Sequence, residues 1–330
     1  MNKKRLIFIA KIVIVLAIFG WIGWELQKSW NKINQIQWHP NYYWLTLSAI
    51  FYGVSYIPSV FFWYYSMRLL GQRPGLYETF RAYYIGHLGK YIPGKAMVVV
   101  IRAGLLNRER TRLSVAAATV ALETLNMMAV GGFISALIVL IWFRDLPGGQ
   151  YLTFIALGLM LFVGLPVFPP VFRRLAKRIG VGRGDPEIDE KLQKLQIQNV
   201  FFGWCLMSID WLLLGLSLWA SIRGIGIDTG SLTDHLPRFV LAATLSVLAG
   251  FVLMIPGGLG VREIVITQIT IPLLVVLLMN ANSGLTEPDA VELAVLYAYV
   301  VAGVQRGISI ISELVISAIL CRSRNKMSAN

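Results

Sequence analysis

The stretch Ile255-Pro256-Gly257-Gly258-Leu259-Gly260-Val261-Arg262-Glu263 interrupts an apolar segment that runs from about residue 236 to 280. Proline and glycine oppose a continuous helix, and Arg262 and Glu263 bring charge into an apolar surrounding. A similar interruption, His87-Leu88-Gly89-Lys90-Tyr91-Ile92-Pro93-Gly94-Lys95, divides the apolar segment of about 77–103. Both segments are therefore predicted to be helical hairpins that are broken near their middle.

The composition identifies the environment of these hairpins. Of the 330 residues, 56% are hydrophobic and 14% are charged, the net charge is +13, and the mean hydropathy is +0.65. Soluble domains carry roughly 25% charged residues, so the chain is predicted to be a membrane protein rather than a soluble, disordered or disulfide-rich one. Once several spans are placed, no segment is left for a separate soluble catalytic domain.

Six further apolar segments are long enough to cross about 30 Å of hydrocarbon as helices. The first follows Lys3, Lys4 and Arg5 and runs on to Trp24 without a small-residue cleavage pattern, so it is interpreted as a retained signal anchor. The six predicted spans are residues 6–26, 43–67, 113–143, 151–172, 200–222 and 291–320.

The distribution of lysine and arginine predicts how the chain is threaded. If both broken segments are re-entrant hairpins, the basic clusters at 102–112 and 173–194 are cytoplasmic, as the positive-inside rule requires. Threading the first segment as a single crossing would place both clusters outside. With hairpins, the external basic residues are only Lys28, Lys32, Arg144, Arg223 and Arg238.

The predicted fold is an all-α polytopic membrane protein with six spanning helices and two broken re-entrant hairpins. Each hairpin lies between two spans, and the two units are inserted with opposite orientation, which is an inverted repeat with both termini cytoplasmic. The predicted divisions are a signal anchor and external linker (1–40), a first repeat (41–150), a connecting span and cytoplasmic linker (151–199), a second repeat (200–320) and a basic cytoplasmic tail (321–330).

Both breaks have the chemistry of an anion site. A half-helix that starts at Gly94 would direct free N–H groups and a positive dipole end at a ligand, and Arg262 carries a planar donor fork suited to phosphate or carboxylate. Paired breaks in inverted halves are pointers to a substrate site. Alternatively, Lys90 and Lys95 extend to the lipid headgroups, and the glycines only permit close packing of helices. The candidate substrate-binding residues are Lys90, Gly94, Lys95, Gly257, Gly258, Gly260 and Arg262.

Ionisable side chains within the predicted spans form a second candidate group. Glu123, Asp210 and Glu313 need partners or a function, because a carboxylate at the bilayer centre costs about 2.5–3.5 kcal/mol on insertion scales. Arg306, which also lies in a span, is the expected counter-ion. A structural ion pair and a proton relay both stay open.

Several other sites are not expected. The stretch from Gly89 to Lys95 fits GxxxxGK, but Ala96 follows where an ATP-binding loop needs a hydroxyl group, and no strand precedes it. His39, His87 and His235 lack metal-ligand spacing, and Cys205 and Cys321 suggest neither a disulfide nor a redox motif. No metal, cofactor or nucleic-acid partner is predicted.

The two breaks resemble those of a known family, the lysylphosphatidylglycerol synthase transmembrane-region or flippase-like membrane proteins. The resemblance rests on Gly89-Lys90-Tyr91-Ile92-Pro93-Gly94-Lys95 with Arg102, and on the segment from Pro256 to Glu263, and it covers about residues 40–320. It implies translocation of a lipid with a charged head. The resemblance carries over Lys90, Lys95, Arg262 and Glu263 as site candidates.

The function expected from the sequence is therefore a plasma-membrane flippase or transporter, not an enzyme. Its cargo would be a phospholipid, an aminoacylated phospholipid or a polyprenyl phosphate. These 330 residues contain no counterpart of the soluble aminoacyl-transfer domain of full-length synthases, so synthase activity is not expected. The alternatives are a membrane-embedded lipid-modifying transferase and an accessory subunit of a cell-envelope enzyme. A homo-oligomer or such an enzyme is the expected protein partner.

Overall fold

The structure, a computed structural model, describes residues 40–92, 96–107, 109–143, 149–178, 186–193, 195–282 and 284–327. These residues form α-helices and short 3-10 and π turns, with no strand among them. The helices are α1 (Tyr42–Val54), α2 (Ile57–Leu69), α3 (Leu76–His87), α4 (Ala96–Gly104), α5 (Leu113–Ile138), α6 (Gly149–Gly164), α7 (Pro169–Arg178), α8 (Pro186–Gln193), α9 (Ile197–Gly224), α10 (Leu232–Val252), α11 (Val261–Ala281) and α12 (Glu287–Met327).

Six stretches of helix in the described residues are long and apolar enough to cross a membrane. Four match predicted spans, and the other two are the arms of the second hairpin, which contain enough residues to cross individually. The predicted span at 6–26 lies outside the described residues. The six stretches are Tyr42–Leu69, Leu113–Phe143, Ile197–Gly224, Leu232–Val252, Pro256–Ala281 and Glu287–Arg322.

The predicted span at 151–172 has different bounds in the structure. Helix α6 ends at Gly164, and after a short 3-10 turn at Leu165–Val167 the chain bends by 61° into α7. Pro166, Pro169 and Pro170 explain the bend, because proline cannot donate a helical hydrogen bond and restricts the residue before it. Helix α8 lies in the segment predicted as the cytoplasmic linker.

The described residues divide into two compact units. The first unit contains residues 50–214 and 309–327. Its core includes Trp211, whose indole N–H donates to the carbonyl oxygen of Met127 at 3.0 Å. A Cβ atom at Gly131 would lie 2.7 Å from the Trp211 ring, so glycine allows these helices to approach closely.

The second unit contains residues 40–49 and 215–308. Buried hydroxyl groups join its helices: Ser48 donates to the carbonyl oxygen of Ser217 at 2.7 Å, and Ser221 donates to the side-chain oxygen of Gln305 at 2.5 Å. Such polar contacts hold helices together in lipid, where apolar surface alone supplies little driving force. Each unit contains one of the two breaks.

Candidate functional site

The first break, residues 88–95, separates two helices that pack side by side. A Cβ atom at Gly86 would lie 2.3 Å from the side chain of Arg102, and one at Gly89 would lie 2.9 Å from the backbone nitrogen of Val98. Glycine is therefore required at both positions for α3 and α4 to approach this closely. Gly94 and Lys95, two of the predicted site residues, lie outside the described residues.

Lys90, at the first break, forms a largely buried ion pair with Glu313 on α12. The Glu313 side chain is 4% exposed and that of Lys90 is 18% exposed. The hydroxyl group of Tyr52 donates to the same Glu313 oxygen, and Nζ of Lys90 lies 3.0 Å from Nε2 of His87. The second Glu313 oxygen is buried and has no hydrogen-bond partner in the described part of the chain.

A second ion pair lies deeper in the same unit. Nη1 of Arg102 is 2.8 Å from Oε2 of Glu123, and both side chains are buried. The hydroxyl group of Tyr83 donates to the other Glu123 oxygen at 2.9 Å, and the Arg102 guanidinium group stacks 3.6 Å from the Tyr83 ring centroid. Hydrogen bonds and stacking thus compensate for removing both charges from water.

His87 joins the two ion pairs of the first unit. One ring nitrogen faces Nζ of Lys90, and the other, Nδ1, lies 3.4 Å from Nη2 of Arg102. The imidazole also packs against Tyr56, with the ring centroids 4.5 Å apart. The first unit therefore contains a continuous set of ionisable groups from Glu313 to Glu123.

Asp210, on α9, has a different environment from the two glutamates. Its side chain is fully buried, and Ser59 donates a hydrogen bond to Oδ2. Oδ1 has no hydrogen-bond partner, and no ion pair to this carboxylate is present among the described residues. A neutral hydrogen-bonding group could therefore replace it without leaving a cation unpaired.

The second break, residues 253–260, is a sharp turn made by glycine. Gly257, Gly258 and Gly260 have φ values of 60°, 68° and 80°, and Met254 also has a positive φ of 55°. A Cβ atom at Gly258 would lie 2.7 Å from the Arg262 side chain, which covers this glycine. Both the backbone conformation and the close approach therefore require glycine at position 258.

Arg306, on α12, connects the second break to the start of α11. Its Nη1 donates to the carbonyl oxygen of Gly257 at 2.9 Å, and its Nε lies 3.5 Å from Oε1 of Glu263. Both side chains are largely buried, at 12% and 10% exposed. Within the described residues, Oε2 of Glu263 and the Thr267 hydroxyl group, one turn later, are buried without hydrogen-bond partners.

These contacts differ from the pairing expected from the sequence. Arg306 pairs with Glu263 at the break, while Glu123 and Glu313 pair with Arg102 and Lys90. Sequence reasoning missed His87, Tyr52 and Tyr83 as members of the cluster. Only His87 carried a signal, because it lies three residues before Lys90, next to the break. Among the described residues, no group of three His, Cys, Asp or Glu side chains could hold a metal ion.

The long apolar helices and the buried charges at the breaks define an α-helical, multi-pass integral membrane protein. The sequence model of the family described as "Lysylphosphatidylglycerol synthase TM region" matches residues 8–305. This chain therefore belongs to that family, and the resemblance seen at the two breaks is confirmed. No curated protein matches the sequence.

Proposed function

We propose that the protein moves a polar lipid with an anionic or zwitterionic head across the plasma membrane, and that each of the two breaks offers a contact for such a head. One observation carries this proposal: a largely buried basic and acidic pair lies at each break, Lys90 with Glu313 and Arg306 with Glu263. Desolvating such pairs is costly, and ionisable groups within membrane helices commonly mark substrate or ion pathways. The family's lipid-related description supports a lipid cargo.

Each pair can exchange its internal contact for a contact with the head. A phosphate oxygen can replace the Glu313 carboxylate beside Lys90, because both are anionic acceptors. The ammonium group of a zwitterionic head can then bind the released carboxylate. A head without charge offers neither contact, so opening the pair for it would leave two desolvated charges.

The short arms of the first hairpin support a re-entrant arrangement. Helices α3 and α4 contain 12 and 9 residues, which correspond to about 18 and 14 Å at 1.5 Å per residue. Neither length reaches across about 30 Å of hydrocarbon. We therefore assign the first hairpin a re-entrant position from the cytoplasmic side, with both termini cytoplasmic. In this proposal the two breaks are corresponding parts of an inverted repeat.

The proposal is tested by reconstituting the purified protein into liposomes that contain lipids labelled on an acyl chain. The lipids differ only in the head: phosphatidylglycerol, phosphatidylethanolamine or uncharged diacylglycerol. A membrane-impermeant reductant reports the labelled lipid that reaches the outer leaflet. We expect the protein to raise the rates of the two phosphate-bearing lipids above those in protein-free liposomes and to leave the rate for diacylglycerol unchanged.

The control is Lys177→Ala, which removes an exposed ion pair with Asp189 outside the six candidate spans and should not change the rate. Rates equal to those of protein-free liposomes for every head would contradict the proposal. Mass spectrometry of the recovered lipids separates transport from transfer chemistry, because a transferase would change the mass of the head.

A further inference from the structure

A polar groove of about 650 Å³ lies in the first unit, outside the two breaks. Its walls come from three segments: residues 71–73 after α2, residues 109–112 before α5, and helix α8. Each wall adjoins the end of a candidate span, because those spans end at Leu69 and begin at Leu113 and Ile197. The groove therefore opens where span ends meet the polar connections.

Four basic and two acidic side chains line this groove, which gives it a net positive charge. The lining side chains with charge are Arg73, Arg110, Arg112, Lys191, Glu109 and Glu187. Glu187 pairs with Lys191 one turn away on α8, and no ion pair to Arg73 or Arg110 is present in the described ranges. Two guanidinium groups are thus available for an anionic ligand, and guanidinium matches phosphate geometry bidentately.

The backbone that carries these arginines is held in place. The N–H group of Arg73 donates to the carbonyl oxygen of Arg110 at 3.0 Å, and the N–H group of Arg112 donates to the Gln72 side chain at 2.6 Å. On the third wall, the Lys191 side chain lies across Gly71, where a Cβ atom would be 2.5 Å from Nζ. Contacts between separate segments therefore bring the basic residues to one groove, which distinguishes it from a row of independent surface charges.

Thr111 supplies an independent observation that indicates a ligand. Its side chain lines the groove and is 4% exposed, and its hydroxyl group has no hydrogen-bond partner in the part of the chain that the structure describes. Leaving a buried hydroxyl group unpaired is costly, so such groups are usually satisfied by a ligand, an ion or water. A hydroxyl group that lines the same groove as guanidinium groups can donate to a phosphate oxygen.

We propose that this groove binds a phosphate group, through Arg73, Arg110 and the Thr111 hydroxyl group. The phosphate belongs either to a lipid head at the membrane surface or to a soluble phosphate compound. The site is separate from the breaks, so it would regulate the protein or collect a ligand before any translocation step. The proposal does not depend on transport by the breaks.

The test uses the full chain in nanodiscs, with binding of pyrophosphate measured by isothermal titration calorimetry in phosphatidylcholine. A second arm measures the shift in melting temperature when phosphatidylglycerol replaces part of the phosphatidylcholine. Binding of pyrophosphate supports a soluble source, and a shift in the lipid arm supports a lipid head. In Arg110→Gln the affinity for pyrophosphate must fall about tenfold, and the lipid-dependent shift in melting temperature must shrink or disappear, as expected for the loss of one charged hydrogen-bonding partner.

Two variants separate binding from folding. Thr111→Val keeps the shape of the side chain, so the unliganded protein should melt at the wild-type temperature or above, while phosphate binding weakens. Arg174→Gln, on an exposed position of α7 that does not line the groove, should leave both arms unchanged. No response to pyrophosphate or phosphatidylglycerol, or equal responses in wild type, Arg110→Gln and Thr111→Val, would overturn the proposal.

Discussion

Lys90, in the turn after α3, forms an ion pair with Glu313, which lies 223 positions later on α12. Tyr52 and His87 contact the same pair, so four side chains from three helical segments and the first break meet at one point. The ion pair therefore joins the turn of the first hairpin to a helix that is far away in sequence. This relationship makes the pair both a structural contact and a candidate contact for the lipid head.

Neutralising one member of this pair should destabilise the protein more than neutralising both. Glu313→Gln leaves the largely buried Lys90 without its counter-ion, and breaking a buried pair costs about 3–5 kcal/mol, with the lower end expected here because Lys90 is partly exposed. Lys90→Met with Glu313→Gln leaves no unpaired charge, so part of the stability should return. Thermal unfolding in detergent measures both variants, and a double variant less stable than Glu313→Gln would contradict this account.

Glu123 and Asp210 should respond in opposite ways to removal of their charge. Glu123→Gln leaves Arg102 buried without a counter-ion, so the melting temperature should fall. Asp210→Asn keeps an acceptor for Ser59 and removes a buried ionisable group that has no ion-pair partner in the described residues, so the melting temperature should hold or rise. Equal losses in the two variants would exclude this distinction.

The same Asp210→Asn variant tests a proton relay. If Asp210 exchanges protons during transport, the variant should fold normally but transport lipid at a rate independent of an imposed pH gradient. The measurement compares transport with and without the gradient in wild type and variant. A gradient response that persists in well-folded Asp210→Asn would remove this carboxylate from any relay.

Alanine substitutions at two glycines should have opposite effects on stability, because one glycine lies in the turn of the second break and the other lies within a helix. Gly258→Ala places a Cβ atom at a φ of 68° and 2.7 Å from Arg262, so we expect a loss of about 1–3 kcal/mol. Gly303→Ala, within α12, meets no atom within 4 Å and should stabilise the helix by about 0.4–1 kcal/mol. Equal unfolding temperatures for the two variants would contradict the assigned turn geometry.

Labelling of single cysteines tests the threading of the chain. After replacement of Cys205 and Cys321, both exposed, by serine, cysteine is introduced at Asn107, Gln198 or Asn282. We expect an impermeant maleimide added to intact cells to label position 282 only, because the positive-inside rule places the other two in the cytoplasm. Labelling at position 107 would exclude the re-entrant first hairpin.

Helix positions could be predicted from the sequence because apolar length is a local property. The predicted spans at 113–143 and 200–222 lie within three residues of the bounds found, and the first hairpin has the predicted order of helix, break and helix. The end of α6 was missed because the apolar run continues past Pro166 into a bend. The repeat boundaries and the proposed re-entrant arrangement stay predictions.

The ion pairs could not be predicted, because partners far apart in sequence are brought together by packing. Glu313 and Lys90 belong to segments with no shared pattern, and Arg102 reaches Glu123 only because Gly86 lets α4 approach α3. Arg306 was expected to pair with Glu123, Asp210 or Glu313 and instead pairs with Glu263, beside the second break. The sequence shows which ionisable side chains lie within apolar segments, where burying a charge costs free energy. Only the fold shows which side chains they pair with.

The proposed contact between the charge pair at the first break and a charged lipid head is tested most directly by exchanging the two charges. The variant with Lys90→Glu and Glu313→Lys keeps an ion pair for folding. It places the negative charge at position 90 and the positive charge at position 313, so the two charges exchange positions. We measure the initial rate of phosphatidylglycerol movement in proteoliposomes for wild type, this exchanged variant and Lys177→Ala. We expect a folded exchanged variant with at least about a tenfold lower rate, and a wild-type rate for Lys177→Ala. A wild-type rate in the folded exchanged variant would contradict the proposed contact.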